Sequence, residues 1–479
     1  TWAGVLQTTL GGVHDRIGRV RSVCRLPAMF CEKRRFGRGS PLMKIQPLVV
    51  VAVLGVLFAG AAPGYAGNEV AVTYYKDVLP IIQDNCQTCH RPTGQNISGL
   101  IAPMSFMDYK ETRPWARAIA RKVESKEMPP WFATAPKGVF ENERGLTDDE
   151  ITTILSWVEA GAPAGEIADA PPVKQWAEQA NDGWTYGTPD FVVKMPEPYV
   201  IEDDIYDLNI QFYKKLTEVD LPEDTWVRGW EFRIGDNGVT HHMCSSVFPP
   251  SAQVHVDGAA VEDEGNAVTG SNLLSCVAEG GESGILPEGY GVLIEKGSMV
   301  SFNMHYHKEA AAGSAVTSQA EIGFFVSKEE PRYKVINDSL YNRGFEIPPN
   351  HPNYRIGSSR VLEKDTLVLT YWPHAHTRAI AARYTAFYPD GTEELLLDVP
   401  NYDQGWQVTY KYKEPKLLPK GTRIDVDFWY DNTEERGARQ KFNSNRFVGY
   451  GPRTDDEMSL GFIGYAEIDE DLATTDNNN

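Results

Sequence analysis

The chain has 479 residues, 42% of them hydrophobic and 11% aromatic, enough for roughly two to four domains with buried cores rather than one. Its 66 acidic against 46 basic side chains leave a formal charge of -20, which argues against nucleic acid as a partner.

The charge is unevenly placed. Residues 1–42 carry Arg16, Arg19, Arg21, Arg25, Lys33, Arg34, Arg35 and Arg38 against only Asp15 and Glu32, and look foreign to the rest of the chain. Met43 and Lys44 then open an apolar run from Leu48 to Ala59 that closes on Gly64-Tyr65-Ala66. This is the layout of a secretory signal peptide, too short for a comfortable membrane span. We therefore expect an untranslated or disordered segment at 1–42, a signal peptide at 43–66 cleaved after Ala66, and a periplasmic or secreted protein. The alternative is an uncleaved N-terminal anchor. An exported compartment permits a disulfide between Cys244 and Cys276, with a free buried thiol at each as the other reading.

Cys86-Gln87-Thr88-Cys89-His90 is the C-x-x-C-H pattern of c-type haem attachment: two thiols add to the haem vinyl groups and the adjacent histidine supplies an axial ligand. Helical signals surround it. Tyr74 to Asn85 carries Val78, Leu79, Ile81 and Ile82; Trp115 to Lys126 carries Ile119 and Val123. Thr147 and Glu150 form a capping box before a stripe of Ile151, Ile154, Leu155 and Val158 stopped by Gly161. Three helices around one haem resemble a small class I cytochrome c, expected over 67–165. Its sixth ligand is expected to be Met128 in KEMPPWF, where two prolines stiffen the loop, with Met104 and Met107 as rivals.

The Pro- and Ala-rich stretch from Ala162 to Val173 reads as a linker, carried on to residue 190. Beyond it come short alternating runs broken by Gly, Pro, Asn and Asp, a pattern that predicts all-β sandwich architecture. Lys296–His307 is similar to Lys420–Asp431, so two related β domains are expected, over 191–345 and 346–470, before a disordered tail at 471–479. Histidines cluster on these β-like segments: His241 and His242, His305 and His307, His374 and His376. The last pair, two residues apart on a strand, leaves one face and can converge on one ion. His241 and His242 would point to opposite faces of a regular strand and could share an ion only through a loop or bulge. His255 and His351 stand alone and read as structural.

The order H-H-M, an M-H-Y strand, H-x-H and D-E-M resembles the copper type II, ascorbate-dependent monooxygenases, the family of peptidylglycine α-hydroxylating and dopamine β-monooxygenase, over about residues 190–470. The resemblance implies jelly-roll-like sandwiches. It also implies one copper on His241, His242 and His305 that handles electrons, and a second, catalytic copper on His374, His376 and Met458 that activates O2, the two lying far apart. His307 is the alternative to His305. A thioether beside two imidazoles independently suits cuprous copper. Peptide-processing members have an arginine two positions before the H-x-H pair. Trp372 stands there in this chain, and Leu460 and Phe462 stand where those members have Asn and Tyr, so a less polar substrate than a peptide carboxylate is expected.

The expected protein is thus a monooxygenase with two coppers and one covalent haem c. It would use O2 on a C-H bond of a small organic substrate, with electrons from a redox protein or an ascorbate-like reductant passing through the haem. The alternative is a non-catalytic haem and copper protein for electron transfer or copper binding.

Overall fold

The computed structural model describes residues 72–92, 102–176, 183–236, 238–252, 261–262, 272–277 and 284–468, which fall in one compact unit, Asn68–Asn479. The segments expected at 1–42, 43–66 and 471–479, and His255, lie outside the described residues. A small helical region comes first, and a large all-β region with several sheets comes after it.

The first expected helix splits into a π-turn, Tyr74–Val78, and an α-helix, Leu79–Asn85. Ala116–Glu124 follows a short 3-10 turn, burying Ile119 and Val123. Asp148–Glu159 opens on the expected capping box, with Glu150 N–H donating to the Thr147 hydroxyl and Thr147 N–H to the Glu150 carboxylate. Its inner face centres on Ile154 and Trp157, both fully buried, while Ile151, Leu155 and Val158 are half-buried. Gly161 takes a positive φ of 87° just past its end.

The stretch after this helix is docked rather than free. Pro163 and Ala164 carbonyls accept the N–H groups of Tyr74 and Tyr75 at 3.0 and 3.1 Å, and Pro163 also takes the Trp157 indole N–H. Residues with few donors of their own leave carbonyls free for the orphan N–H groups at the start of the first helix.

Two β-sandwiches share one long sheet. In its first half, Phe191–Lys194, Glu321–Val326, Thr225–Arg233 and Tyr290–Ile294 lie side by side; in its second, Tyr333–Tyr341, Leu460–Ile468, Asp365–His374 and Tyr410–Leu418. A short parallel pairing, Tyr333 with Tyr290 and Lys334 with Gly291, joins the halves. A five-stranded sheet containing Asp207–Lys215, Met299–His307, Thr240–Phe248 and Asn272–Val277 covers the first half. A four-stranded sheet of Tyr354–Val361, Arg423–Tyr430, Ala379–Phe387 and Glu393–Val399 covers the second.

The strand Tyr333–Tyr341, placed before the expected boundary at 345/346, belongs with the second sandwich. It pairs with Leu460–Ile468 from Val335 opposite Ala466 to Tyr341 opposite Leu460, a longer ladder than its two-residue link to the first half. The repeat seen in the sequence survives as a shared position. Met299–His307 and Arg423–Tyr430 are each flanked by strands on both sides, and each follows a glycine at positive φ, Gly297 at 81° and Gly421 at 86°.

A segment of the helical region, residues 131–143, is built into the second sandwich. Phe140 pairs with Tyr412 and is 3% exposed, Glu141 N–H donates to the Lys411 carbonyl at 2.7 Å, and the Asn142 amide donates to the Thr409 carbonyl at 2.7 Å. Trp131 packs edge-on against Tyr410 with ring centroids 5.0 Å apart. The helical region is therefore held by core packing as well as by chain connectivity.

Candidate functional site

Cys86 follows the helix Leu79–Asn85 directly, and the next turn is closed by Cys89 and His90 N–H groups donating to the Cys86 carbonyl. Cys86 and Cys89 are not joined in a disulfide. With His90 they line a cavity of about 750 Å³, well within the size range of cofactor pockets. His90 stacks on Phe106, rings 4.2 Å apart and 13° from parallel, and its Nδ1 meets the Met104 carbonyl at 3.1 Å. With the proton assigned to Nδ1, the Nε2 lone pair remains for iron; burial, the largest influence, lowers the histidine's proton affinity and keeps it neutral.

Among the rivals for the sixth position, Met104 and Met128 line the cavity and Met107 is not among its described lining residues. Met104 presents its carbonyl to the histidine, so its backbone lies on the His90 side. The residues present therefore fit a covalent haem: two thiols, one neutral imidazole and a thioether around one cavity.

The second constellation lies in the five-stranded sheet. His242 is paired with His305 across the ladder, and the register slips by one residue next to it, since Tyr306 pairs with Thr240. That bulge lets the neighbouring His241 turn to the same side. The Nδ1 atoms of His241 and His242 are 3.1 Å apart and those of His242 and His305 3.3 Å. Two imidazole nitrogens at about 2.0–2.1 Å from one ion and near a tetrahedral angle have about this separation. His305 uses its Nε2 on the Asp207 carboxylate, which fixes the tautomer and leaves Nδ1 turned inward.

Burial lowers the proton affinity of His241 to about 4 and that of His242 further still, with the neighbouring imidazoles adding to the effect. The Asp207 carboxyl is held below its usual range by its bond to His305. His307 points elsewhere: it is exposed and meets Tyr206 edge-on at 4.7 Å.

The third constellation ends the strand Asp365–His374. His374 Nδ1 meets Gln407 Oε1 at 2.5 Å and His376 Nδ1 meets the Asp456 carbonyl at 3.2 Å, with the Arg453 backbone a further partner of the His376 ring. Burial brings these histidines to about 4 and about 3 respectively. The segment carrying Met458 is tied to the same turn by Glu457, a fully buried residue whose carboxylate accepts the N–H groups of His376 at 2.9 Å and Arg378 at 2.7 Å. The Met458 carbonyl accepts the Tyr430 hydroxyl at 2.7 Å. Trp372 lies beside His374, centroids 5.2 Å apart, and stacks on Phe462 at 4.6 Å.

The two histidine sets lie near enough for charge to act between them. Charge on His374 and His376 bears on His242, and charge on His305 bears on His376. Cys244 and Cys276 form a disulfide directly across the ladder between Thr240–Phe248 and Asn272–Val277, two residues from His242.

Three supporting residues escaped the sequence reading. Asp207 and Gln407 carry no local signal, being single polar residues far along the chain from the histidines they hold. Glu457 stood inside the D-E-M motif beside Met458 and could have been singled out as its neighbour.

Residues 80–161 match the family model of cytochrome c, and this part of the chain is a cytochrome c domain, which implies a covalently bound haem c and haem-based electron transfer. No curated protein matches the chain. Among solved structures, similarity is found to PNGF-II, at 8% identity and a TM-score of 0.25 over 58% of this chain and 65% of that one, under two thirds of its length. It is also found to infectious bursal disease virus, Gx strain, at 10% identity and a TM-score of 0.17 over 59% and 75%. Likenesses this distant carry no conclusion about function.

Proposed function

We propose that the chain is an exported copper-dependent monooxygenase that uses O2 on a C-H bond of a small, weakly polar organic molecule and draws electrons through its own haem. One observation carries this reading: the ring nitrogens of His241, His242 and His305 converge within 4.8 Å of one another, and His374 and His376 lie near enough for their charge to bear on His242, in the β region that follows a cytochrome c domain. Copper held on these residues would supply one-electron redox chemistry and O2 activation. His241, His242 and His305 would hold one ion, and His374, His376 and Met458 the other.

The chain's own residues hold these ligands in place. Asp207, Gln407 and the Asp456 carbonyl keep His305, His374 and His376 respectively in one tautomer and one orientation. Glu457 fixes the His376 backbone against the Met458 segment. Trp372 and Phe462 form an apolar wall beside His374, suited to a substrate without a carboxylate.

The test is metal analysis followed by oxygen uptake. Two coppers and one haem per chain, with O2 consumption dependent on an organic co-substrate and on both coppers, is the expected result; one copper, or zinc in preference to copper, overturns the two-site assignment.

A second reading, electron transfer without hydroxylation, draws on the burial of His374 and His376, which are 9% and 6% exposed. Copper content with no O2 uptake across a panel of small apolar substrates would support it instead.

A further inference from the structure

The cavity beside Cys86 and His90 is not closed by the helical region alone. Trp406, from the turn between the strands Glu393–Val399 and Tyr410–Leu418 of the second sandwich, is part of its wall. Its chain neighbour Gln407 is 2% exposed and holds His374 through Oε1 and the Trp372 indole N–H through its backbone carbonyl, at 2.5 and 3.0 Å. Two consecutive residues and one short hydrogen bond therefore link the wall of the haem cavity to His374. The turn is rigid: Trp406 N–H donates to the Asp403 carbonyl at 2.9 Å, Gly405 N–H to the Asp403 carboxylate, and Tyr402 is locked to Ala375 through its hydroxyl. Among the described residues lining the cavity, none is a chain neighbour of His241, His242 or His305.

We propose that Trp406 and Gln407 are the electron entry from the haem to the copper on His374, His376 and Met458, so that electrons reach this side first and not the three-histidine side. The proposal rests on the copper monooxygenase reading. In the step, one electron leaves the ferrous haem, which becomes ferric, and one cupric ion becomes cuprous; no bond to substrate or O2 changes and no proton moves. Gln407 is a positioning residue, acting through His374; Trp406 supplies a π-system in the cavity wall next to it.

The experiment uses the full chain carrying haem and copper, without O2. A flash-activated reductant reduces the haem, and its reoxidation is followed in the visible band together with loss of the cupric EPR signal. In Trp406→Ala the reoxidation slows severalfold, while Trp406→Phe, which keeps a ring in the wall, stays close to wild type in rate, haem spectrum and thermal unfolding. Gln407→Leu slows it by about tenfold or more, in the range typical of lost partners to metal-binding histidines, and Gln407→Glu, which keeps the acceptor, restores much of the rate. Trp406→Ala reoxidising at the wild-type rate with both coppers bound overturns the proposal alone, as does transfer abolished by His241→Ala but indifferent to Trp406. A wild-type protein that takes up no copper on His374 and His376 overturns the proposal and the monooxygenase reading together.

Discussion

The buried carboxylate of Glu457 accepts the backbone N–H of His376, joining the H-x-H turn to the segment that carries Met458. Its other oxygen takes the Arg378 N–H, so both carboxylate oxygens are used. Burial pushes this acid up to about 7. Glu457→Gln keeps the shape but turns one acceptor into a donor facing an N–H. We expect a loss of about 1–3 kcal/mol in unfolding free energy and weaker copper retention on His374 and His376, read by denaturant unfolding and chelator competition.

Asp207→Asn should act on the other histidine set. The carboxylate that fixes His305 through Nε2 loses its charge, and copper affinity at the three-histidine side should fall by about 10–100-fold while the His374 side is untouched. Titration with a calibrated copper chelator checks it; equal loss at both sides would mean that Asp207 supports the fold and not the ligand.

Met458→Ile keeps a similar volume and removes the sulfur. The fold should survive, and cuprous copper should bind the His374 and His376 side at least about tenfold more weakly, a difference of about 1.4 kcal/mol. Unchanged copper content and affinity would make Met458 a packing residue.

Removing the disulfide should loosen the three-histidine side through its strand. Cys244 and Cys276 are 32 residues apart in sequence, and a loop of that length predicts about 3.7 kcal/mol of stabilisation by chain entropy. Cys244→Ala with Cys276→Ala should unfold at lower denaturant by about that amount and lose copper from His242's side first.

In metal-free protein, His376 contributes a pH dependence whose sign follows from proton counting. Its folded proton affinity, about 3, lies below its ordinary value, so the unfolded chain binds more protons once pH drops below about 6.5. Stability from this group is full above that pH and is lost as pH falls towards about 3. Between pH 7.5 and 5 the wild type should lose about 2 kcal/mol more than His376→Gln, in which the group no longer titrates. Parallel loss in the two proteins would show that His376 is accessible to protons when folded.

Much of this protein is legible in the sequence because the determining signals are local. C-x-x-C-H names a haem attachment since both thiols and the histidine sit within one turn, and the capping box at Thr147 and Glu150 begins a helix where it should. Period-two alternation marks the strands, and Cys244 and Cys276, expected as a possible disulfide, are joined. Tertiary structure decided what depends on contacts between distant segments. The bulge beside His242 that turns His241 inward comes from the pairing register with Met299–His307, which no local pattern states. Tyr333–Tyr341 joins the second sandwich because its long ladder is with Leu460–Ile468, a strand more than a hundred residues away. Trp157, not the leucine or valine of the expected stripe, fills the helical core, and the Pro- and Ala-rich linker is pinned by hydrogen bonds to Tyr74 and Tyr75. The placing of Trp406 in the haem cavity and Gln407 on His374 belongs to the same class: composition and spacing act along the chain, whereas a cavity wall is made by whichever segments the packed cores bring together.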